Sequence, residues 1–325
     1  MRGVCTLALA LIVSAWAVPA ASHAQESSIR ALQKLDAQLF SVGWKLVTGN
    51  APYCKNAAPA IGLMLHDAHS YGEPEKVREE LGLTGDIGVQ AVAPWSPAAQ
   101  AGVPIDATIT HLDAATVTAT FPPSDPLWQR LTRINDTVDR SLAENGQVAV
   151  IWKTRDGGET VALLPGVAAC PTRFEVLSKG GRAVADGKRV ILGRKFVGFS
   201  YDEPEFAAVV AHELAHNLLG HRALLDELGR KRKFIRLTER DADRLMPWLL
   251  ANAGYNPQAA ARFMKLWGPK HSGGIFRKRT HDGWNERLEY IEAEIALVEE
   301  TIARTGRADW SQEFVQSTDG YSRDQ

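Results

Sequence analysis

The stretch His212-Glu213-Leu214-Ala215-His216 sits inside a largely apolar run, residues 206–225, that reads as a helix. Residues four apart share a helical face, so the imidazoles of His212 and His216 can converge on one metal ion. Glu213, about 100° round from His212, borders the same position as a base for a water on that metal. Two histidines do not complete a metal site, and a further ligand has to come from elsewhere in the chain. His221 follows His212 on what reads as one continuous helix over residues 203–229, which turns it to the opposite face. It therefore reads as a packing or hydrogen-bonding histidine. Glu239 stands on the next helical stretch, residues 237–253, with Asp243 one turn later on its face. Two histidines, a glutamate and a water are a common zinc set, and ligand histidines need a carboxylate or carbonyl on their other ring nitrogen. Glu239 and Asp243 meet both needs from one helix.

The pattern extends in both directions. Beyond Glu239, apolar periodicity marks helices over 257–267 and 284–303, and two strand-like runs, 174–177 and 189–192, precede the histidines. Residues 172–305 thus read as a mainly helical α+β unit with a small sheet, followed by a polar tail, 306–325. Upstream the composition changes. Between residues 51 and 171, short β-type runs (61–65, 87–92, 108–112, 147–153 and 160–164) alternate with turn residues, and Arg155-Asp156-Gly157-Gly158 supplies a hairpin turn. One helix interrupts them, with Leu127, Leu131, Ile134, Val138 and Leu142 as its buried stripe. Ahead of this segment, residues 25–50 carry Ile29, Leu32, Leu35, Leu39 and Trp44 at helical spacing.

Inside the β-rich segment lies Ser96-Pro97-Ala98-Ala99-Gln100-Ala101-Gly102-Val103, followed by Asp106 and Ile109. The order of strand, SPAxxAG and second strand resembles the bacterial PDZ signature, with Ile105 where that family usually has glycine. Gly102 suits a position of positive φ. PDZ domains bind extended peptides by adding a strand to a sheet edge. The resemblance implies Ile61-Gly62-Leu63 as the carboxylate-binding loop, unless the module only packs against or blocks the protease groove.

His212 to His216, then Glu239 to Asp243, then Ala253-Gly254-Tyr255-Asn256-Pro257 with Ala259-Ala260, resembles the gluzincin metallopeptidases. These include HtpX, the CAAX prenyl endopeptidases and the soluble periplasmic BepA-type proteases. The resemblance covers residues 174–302 and implies one Zn2+ held by His212, His216 and Glu239, with Glu213 as general base and Asp243 orienting a ligand histidine. The family also carries a late Thr-His-Pro with an arginine six residues after the histidine. Here Thr280-His281-Asp282 and Arg287 keep that spacing, and Asp282 replaces the proline. By resemblance, His281 either stabilises the oxyanion or occupies the fourth zinc position at rest, and Arg287 pairs with Asp243. Arg182-Ala183-Val184-Ala185 departs from the family, which tends to have Asn before its small-residue strand.

Composition sets the compartment and excludes other classes. With 37 basic against 38 acidic residues, 45% hydrophobic and 23% charged, the 325-residue chain is too apolar for disorder and too evenly charged for a dedicated nucleic-acid binder. Arg2, an uncharged and mostly apolar run over residues 4–18, Pro19 and Ser22-His23-Ala24 read as a secretory signal peptide, residues 1–24, too short in its apolar part to span a membrane. The expected protein is exported, and periplasmic if its source is a Gram-negative bacterium. Cys54 and Cys170 can pair in that oxidising setting and would tie the ends of the β-rich segment together. Basic clusters, Arg230 to Lys233 with Arg236 and then Arg277 to Arg279, flank the predicted cleft and suit an anionic partner, a membrane surface or plain solvent. The expected function is hydrolysis of peptide bonds in envelope or exported proteins as quality control. An alternative is a chaperone or assembly factor whose zinc site His281 closes and whose PDZ-like module binds peptide.

Overall fold

The computed structural model describes residues 28–271 and 282–317, so the signal-peptide reading of residues 1–24, the basic cluster at 277–279 and His281 lie outside the described residues. Helix α1 (Ser28–Gly49) opens the fold, and its apolar stripe buries Leu32, Leu39, Val42, Leu46 and Val47. The β-rich segment follows, with β1 (Ala58–Ala60), β2 (Leu63–Asp67), α2 (Pro74–Leu81), β3 (Ile87–Val92), α3 (Pro97–Gln100), β4 (Thr108–Leu112), β5 (Ala115–Thr116) and α4 (Val117–Thr120). It ends with α5 (Trp128–Asn145), β6 (Gln147–Lys153), β7 (Glu159–Pro165) and β8 (Val167–Ala169). Strands β2, β3, β4, β6 and β7 lie in that order in an antiparallel sheet, with β5 beside β4, while β1 pairs with β8. Alternation along β6 buries Val148, Val150 and Trp152 against Ile134 and Leu142 of α5. Leu127, expected to open that helix stripe, instead caps the helix start and is 44% exposed.

Helix α2 has no counterpart in the sequence reading, although Pro74 at its start, Gly82 after its end and Val77 with Leu81 on one face are ordinary helix signals. Its mean composition is polar, and only those two residues are buried. Cys54 and Cys170 form a disulfide with a Cα separation of 5.7 Å, joining the two ends of the β-rich segment. Closing so long a loop removes conformational freedom from the unfolded chain.

The second half is α+β with a small mixed sheet. Strands β9 (Arg173–Leu177) and β11 (Arg189–Gly193) run parallel, and β10 (Ala183–Ala185) lies antiparallel on the outer edge of β11. Helices α6 (Glu203–Leu218), α7 (His221–Leu228), α8 (Arg232–Asn252), α9 (Gln258–His271), α10 (Trp284–Thr305) and α11 (Trp310–Glu313) complete it. One core joins α1, β9, β11, α6, α8, α9 and α10. The chain after residue 306 is not the loose polar tail expected from composition: Ala308 and Trp310 are buried, Trp310 Nε1 donates to Asn50 Oδ1 at 3.0 Å, and Ser317 N donates to Asp241 Oδ1 at 2.8 Å. A single tryptophan in a polar stretch brings enough apolar surface to dock it. No helix among the described residues is long and apolar enough to cross a membrane.

Helix α1 is shared by both halves, and Asp36 is its link. The carboxylate is buried, with Oδ1 accepting from Val176 N of β9 at 2.8 Å and Oδ2 accepting from Gln90 Nε2 of β3 at 2.7 Å. Burial pushes this carboxyl up to about 6, against the hydrogen bonds from Gln90 and Val176, and the nearby Glu175 pushes the same way. A carboxyl raised in the folded state stabilises the fold when protonated, so its contribution is lost as pH rises from about 4 to about 6. The displacement from 3.8 to about 6 is worth about 3 kcal/mol. Asp36→Asn retains an acceptor for Val176, and its amide can donate to Gln90 Oε1, which is buried without a partner among the described residues. The variant is expected to be more stable than wild type near pH 7.5, by up to about 3 kcal/mol in urea unfolding, with the gap reduced to about 1 kcal/mol near pH 4.5. A stability gap of equal size at both pH values would contradict this account.

Candidate metal centre

Helix α6 is buried on most of its circumference, with Phe206 to Ala211, Leu214 and Ala215 all in the core. A helix held on all sides presents its remaining polar side chains in fixed directions. Pro204 in the first turn, with Glu203 and Glu205 near the N-terminal dipole, suits the chain to start helix there. The helix does not run on to residue 229 as the sequence suggested. It stops at Leu218, and Gly220, at φ 67°, redirects the chain into α7.

His212 and His216 leave α6 together, and their Nε2 atoms stand 3.3 Å apart. Glu239 of α8 completes the group, with Oε2 3.5 Å from His212 Nε2 and Oε1 3.7 Å from His216 Nε2. A tetrahedral ion with bonds of about 2.0–2.2 Å sets its ligand atoms about 3.3–3.6 Å apart, so the two ring nitrogens and the Glu239 carboxylate stand close to the spacing such an ion needs. The side chains are 11%, 15% and 19% exposed, low enough to be desolvated yet reachable from outside. Among the described residues this is the only group of three such side chains that converges in this way. Glu213 is half-buried on α6 beside His212.

The far side of each imidazole is also engaged. His212 Nδ1 lies 3.0 Å from Asp243 Oδ1, one turn beyond Glu239 on α8. Asp243 is wholly buried and receives two hydrogen bonds from Arg287 of α10, Nε to Oδ2 at 2.6 Å and Nη2 to Oδ1 at 2.8 Å. Burial would raise the Asp243 carboxyl, but the Arg287 guanidinium and His212 outweigh it and hold the carboxyl below its ordinary range. Burial likewise pulls His212 down, and Asp243 with Glu239 reverses this and pushes the ring up to about 10. His216 differs, since burial pulls it down to about 4. Its Nδ1 meets His221 Nδ1 at 2.9 Å.

His221 was expected on the opposite face of a continuous helix; the break at Gly220 instead brings it under His216, where it is 1% exposed. It is not one of the converging ligands, so its reading as a hydrogen-bonding histidine stands on different geometry. Asp282 accepts from Arg240 Nη2 at 2.9 Å, and Arg240 is the neighbour of Glu239 and lies over the Tyr290 ring. No signal in the sequence ties these two residues together. Arg232 and Arg236 are exposed at the start of α8 and share a helical stripe with Glu239 and Asp243.

In the β-rich half, Gly62 takes φ 68°, and a Cβ there would stand 2.1 Å from Ser96 Cβ. The glycine lets the Ile61-Gly62-Leu63 turn lie against Ser96, whose hydroxyl caps α3 by accepting from Ala99 N at 3.1 Å. Ile61 is buried, and Leu63 begins β2, the edge of its sheet, beside α5.

Metal analysis of purified protein is expected to find about one zinc per wild-type chain, lost from folded His216→Ala and Glu239→Ala variants. Wild type that stays metal-free in added zinc would refute the centre. Arg287→Leu strands a buried carboxylate and is expected to cost about 3–5 kcal/mol in urea unfolding of the metal-free protein. Arg222→Leu, which breaks an exposed pair with Asp226, is expected to change stability far less, because solvent screens that pair. Equal losses would show that the Asp243–Arg287 pair does not carry this load. No protein-family model matches the chain, and no curated protein or solved structure matches it either, so the chemistry of this centre is read from its own residues.

Proposed function

We propose that the chain is an exported zinc endopeptidase of the gluzincin type, similar to HtpX, the CAAX prenyl endopeptidases and the soluble BepA-like proteases, with a PDZ-like module between α1 and the catalytic half. The observation that carries this is the cluster of His212 Nε2, His216 Nε2 and Glu239, 3.3–3.7 Å apart, with both histidines engaged at Nδ1. Structural ion pairs rarely require that arrangement on two helices at once. A zinc ion held there supplies Lewis acidity, lowering the pKa of a water and polarising a peptide carbonyl.

The residues around it have separable duties. Glu213, next to His212 on the same helix, takes the proton of the attacking water and returns it to the leaving amine. No covalent intermediate with the chain is needed. Asp243 keeps the His212 ring turned so that Nε2 faces the cluster, and Arg287 keeps Asp243 ionised. His281 is assigned the oxyanion or the fourth metal position by resemblance alone. The outer edge of β10 offers backbone groups on which an extended substrate could add as a strand, and β2 offers a second such edge beside α5 for the PDZ-like role. The substrates are accordingly polypeptides in the envelope or exported space.

Glu213→Gln is expected to abolish cleavage of an unfolded model substrate such as casein, by about a hundredfold or more, while zinc content stays at the wild-type level. Cleavage persisting in that variant removes Glu213 from the mechanism. Absence of cleavage by zinc-loaded wild type, with peptide binding that depends on residues 51–171, would instead favour a chaperone or assembly factor.

A further inference from the structure

We infer that His221 is a positioning residue for the metal centre: its Nδ1 accepts the Nδ1–H of His216 and thereby makes His216 present Nε2 to the cation. The inference rests on the zinc reading above and adds to it a residue outside the ligand set. The two Nδ1 atoms are 2.9 Å apart and the rings meet edge to face, with centroids 5.0 Å apart at 74°. A neutral imidazole carries one N–H, so a pair of neutral rings joined at Nδ1 has two arrangements. In one, His221 donates, and the His216 proton sits on Nε2, where it blocks a metal. In the other, His216 donates from Nδ1, its Nε2 lone pair is free for the metal, and His221 carries its own proton on Nε2. Only the second lets His216 Nε2, which converges with His212 Nε2 and Glu239, serve a cation as a ligand.

The setting of His221 supports a polar duty over simple filling. It is the first residue of α7, placed by the Gly220 turn, and it is 1% exposed. Its Nε2 is buried with no partner among the described residues, so its one described hydrogen bond is the one to His216. Phenylalanine or leucine would occupy such a space without leaving a polar atom unsatisfied. The same logic is met on the other ligand, where Asp243 stands behind His212.

The test compares zinc affinity, by competition with a chromophoric chelator, in the full mature chain and in the variants His221→Phe and His221→Asn. Phenylalanine keeps the bulk and removes the acceptor, whereas asparagine places Oδ1 near the position of Nδ1. His221→Phe is expected to bind zinc about 10–100-fold more weakly with its helical circular dichroism retained, and His221→Asn to recover most of the loss. Equal affinity in wild type and His221→Phe overturns the inference, as does a folded His221→Asn no better than His221→Phe. Wild type that takes up no zinc overturns the metal reading itself and the inference with it. Should His221→Phe fail to fold, nitrogen-15 spectra of the zinc-loaded wild type decide: a His221 ring protonated at Nε2 is expected, and one protonated at Nδ1 refutes the assignment.

Discussion

Asp243 is a carboxylate with no exposure to solvent, and a charge so placed is tolerable only when it is paired and fully hydrogen-bonded. Arg287 satisfies it with two parallel donors, the geometry for which a guanidinium is suited. That requirement fixes the position of α10 on α8, and neighbouring contacts repeat the tie: Arg244 pairs with Glu294, and Trp248 Nε1 donates to the same carboxylate at 2.9 Å. With α8 held, Glu239 one turn earlier stands beside His212 and His216 of α6. The stability of the helical half and the direction of this cluster thus share the same atoms.

Helix α1 plays the corresponding part between the two halves. It contributes apolar residues to the helical core and, through Arg30 and Gln33, grips Asp106 in the loop after the SPA motif. Asp36 reaches both sheets at once. An apolar contact would tolerate sliding between the halves, whereas a buried carboxylate with two directional donors does not. The disulfide closes the other end of the inserted segment, so the β-rich half is held at its base by a covalent bond and across its face by polar contacts.

What could be read from the residues was what depends on local spacing. The four-residue interval of His212 and His216, the one-turn interval of Glu239 and Asp243, and the alternation along β6 follow from the periods of helix and strand, and the structure follows them. Arg287 was placed on Asp243 only through resemblance, and the two do meet. What escaped were features set by a single residue against its surroundings. Gly220 breaks an otherwise periodic helix and carries His221 to the other side; Trp310 docks a polar stretch; and Asp36 reads as one acid on an amphipathic helix, although partners distant in the chain make it a junction. Such outcomes are tertiary, and periodicity contains no record of them.

The two converging histidines are supported unequally, one by a carboxylate and the other by a neutral ring. Asp243 brings a negative charge behind His212 that Arg287 offsets, so this backing adds little net charge to the centre. A carboxylate behind His216, with no arginine of its own, would add an uncompensated negative charge in a site with little solvent to screen it. A cation held there would then withdraw electrons from a bound group less strongly. A neutral ring behind His216 meets it without adding negative charge. Gly220 therefore bears on the charge of the cluster as well as its shape, since its left-handed turn starts α7 with an imidazole at His216.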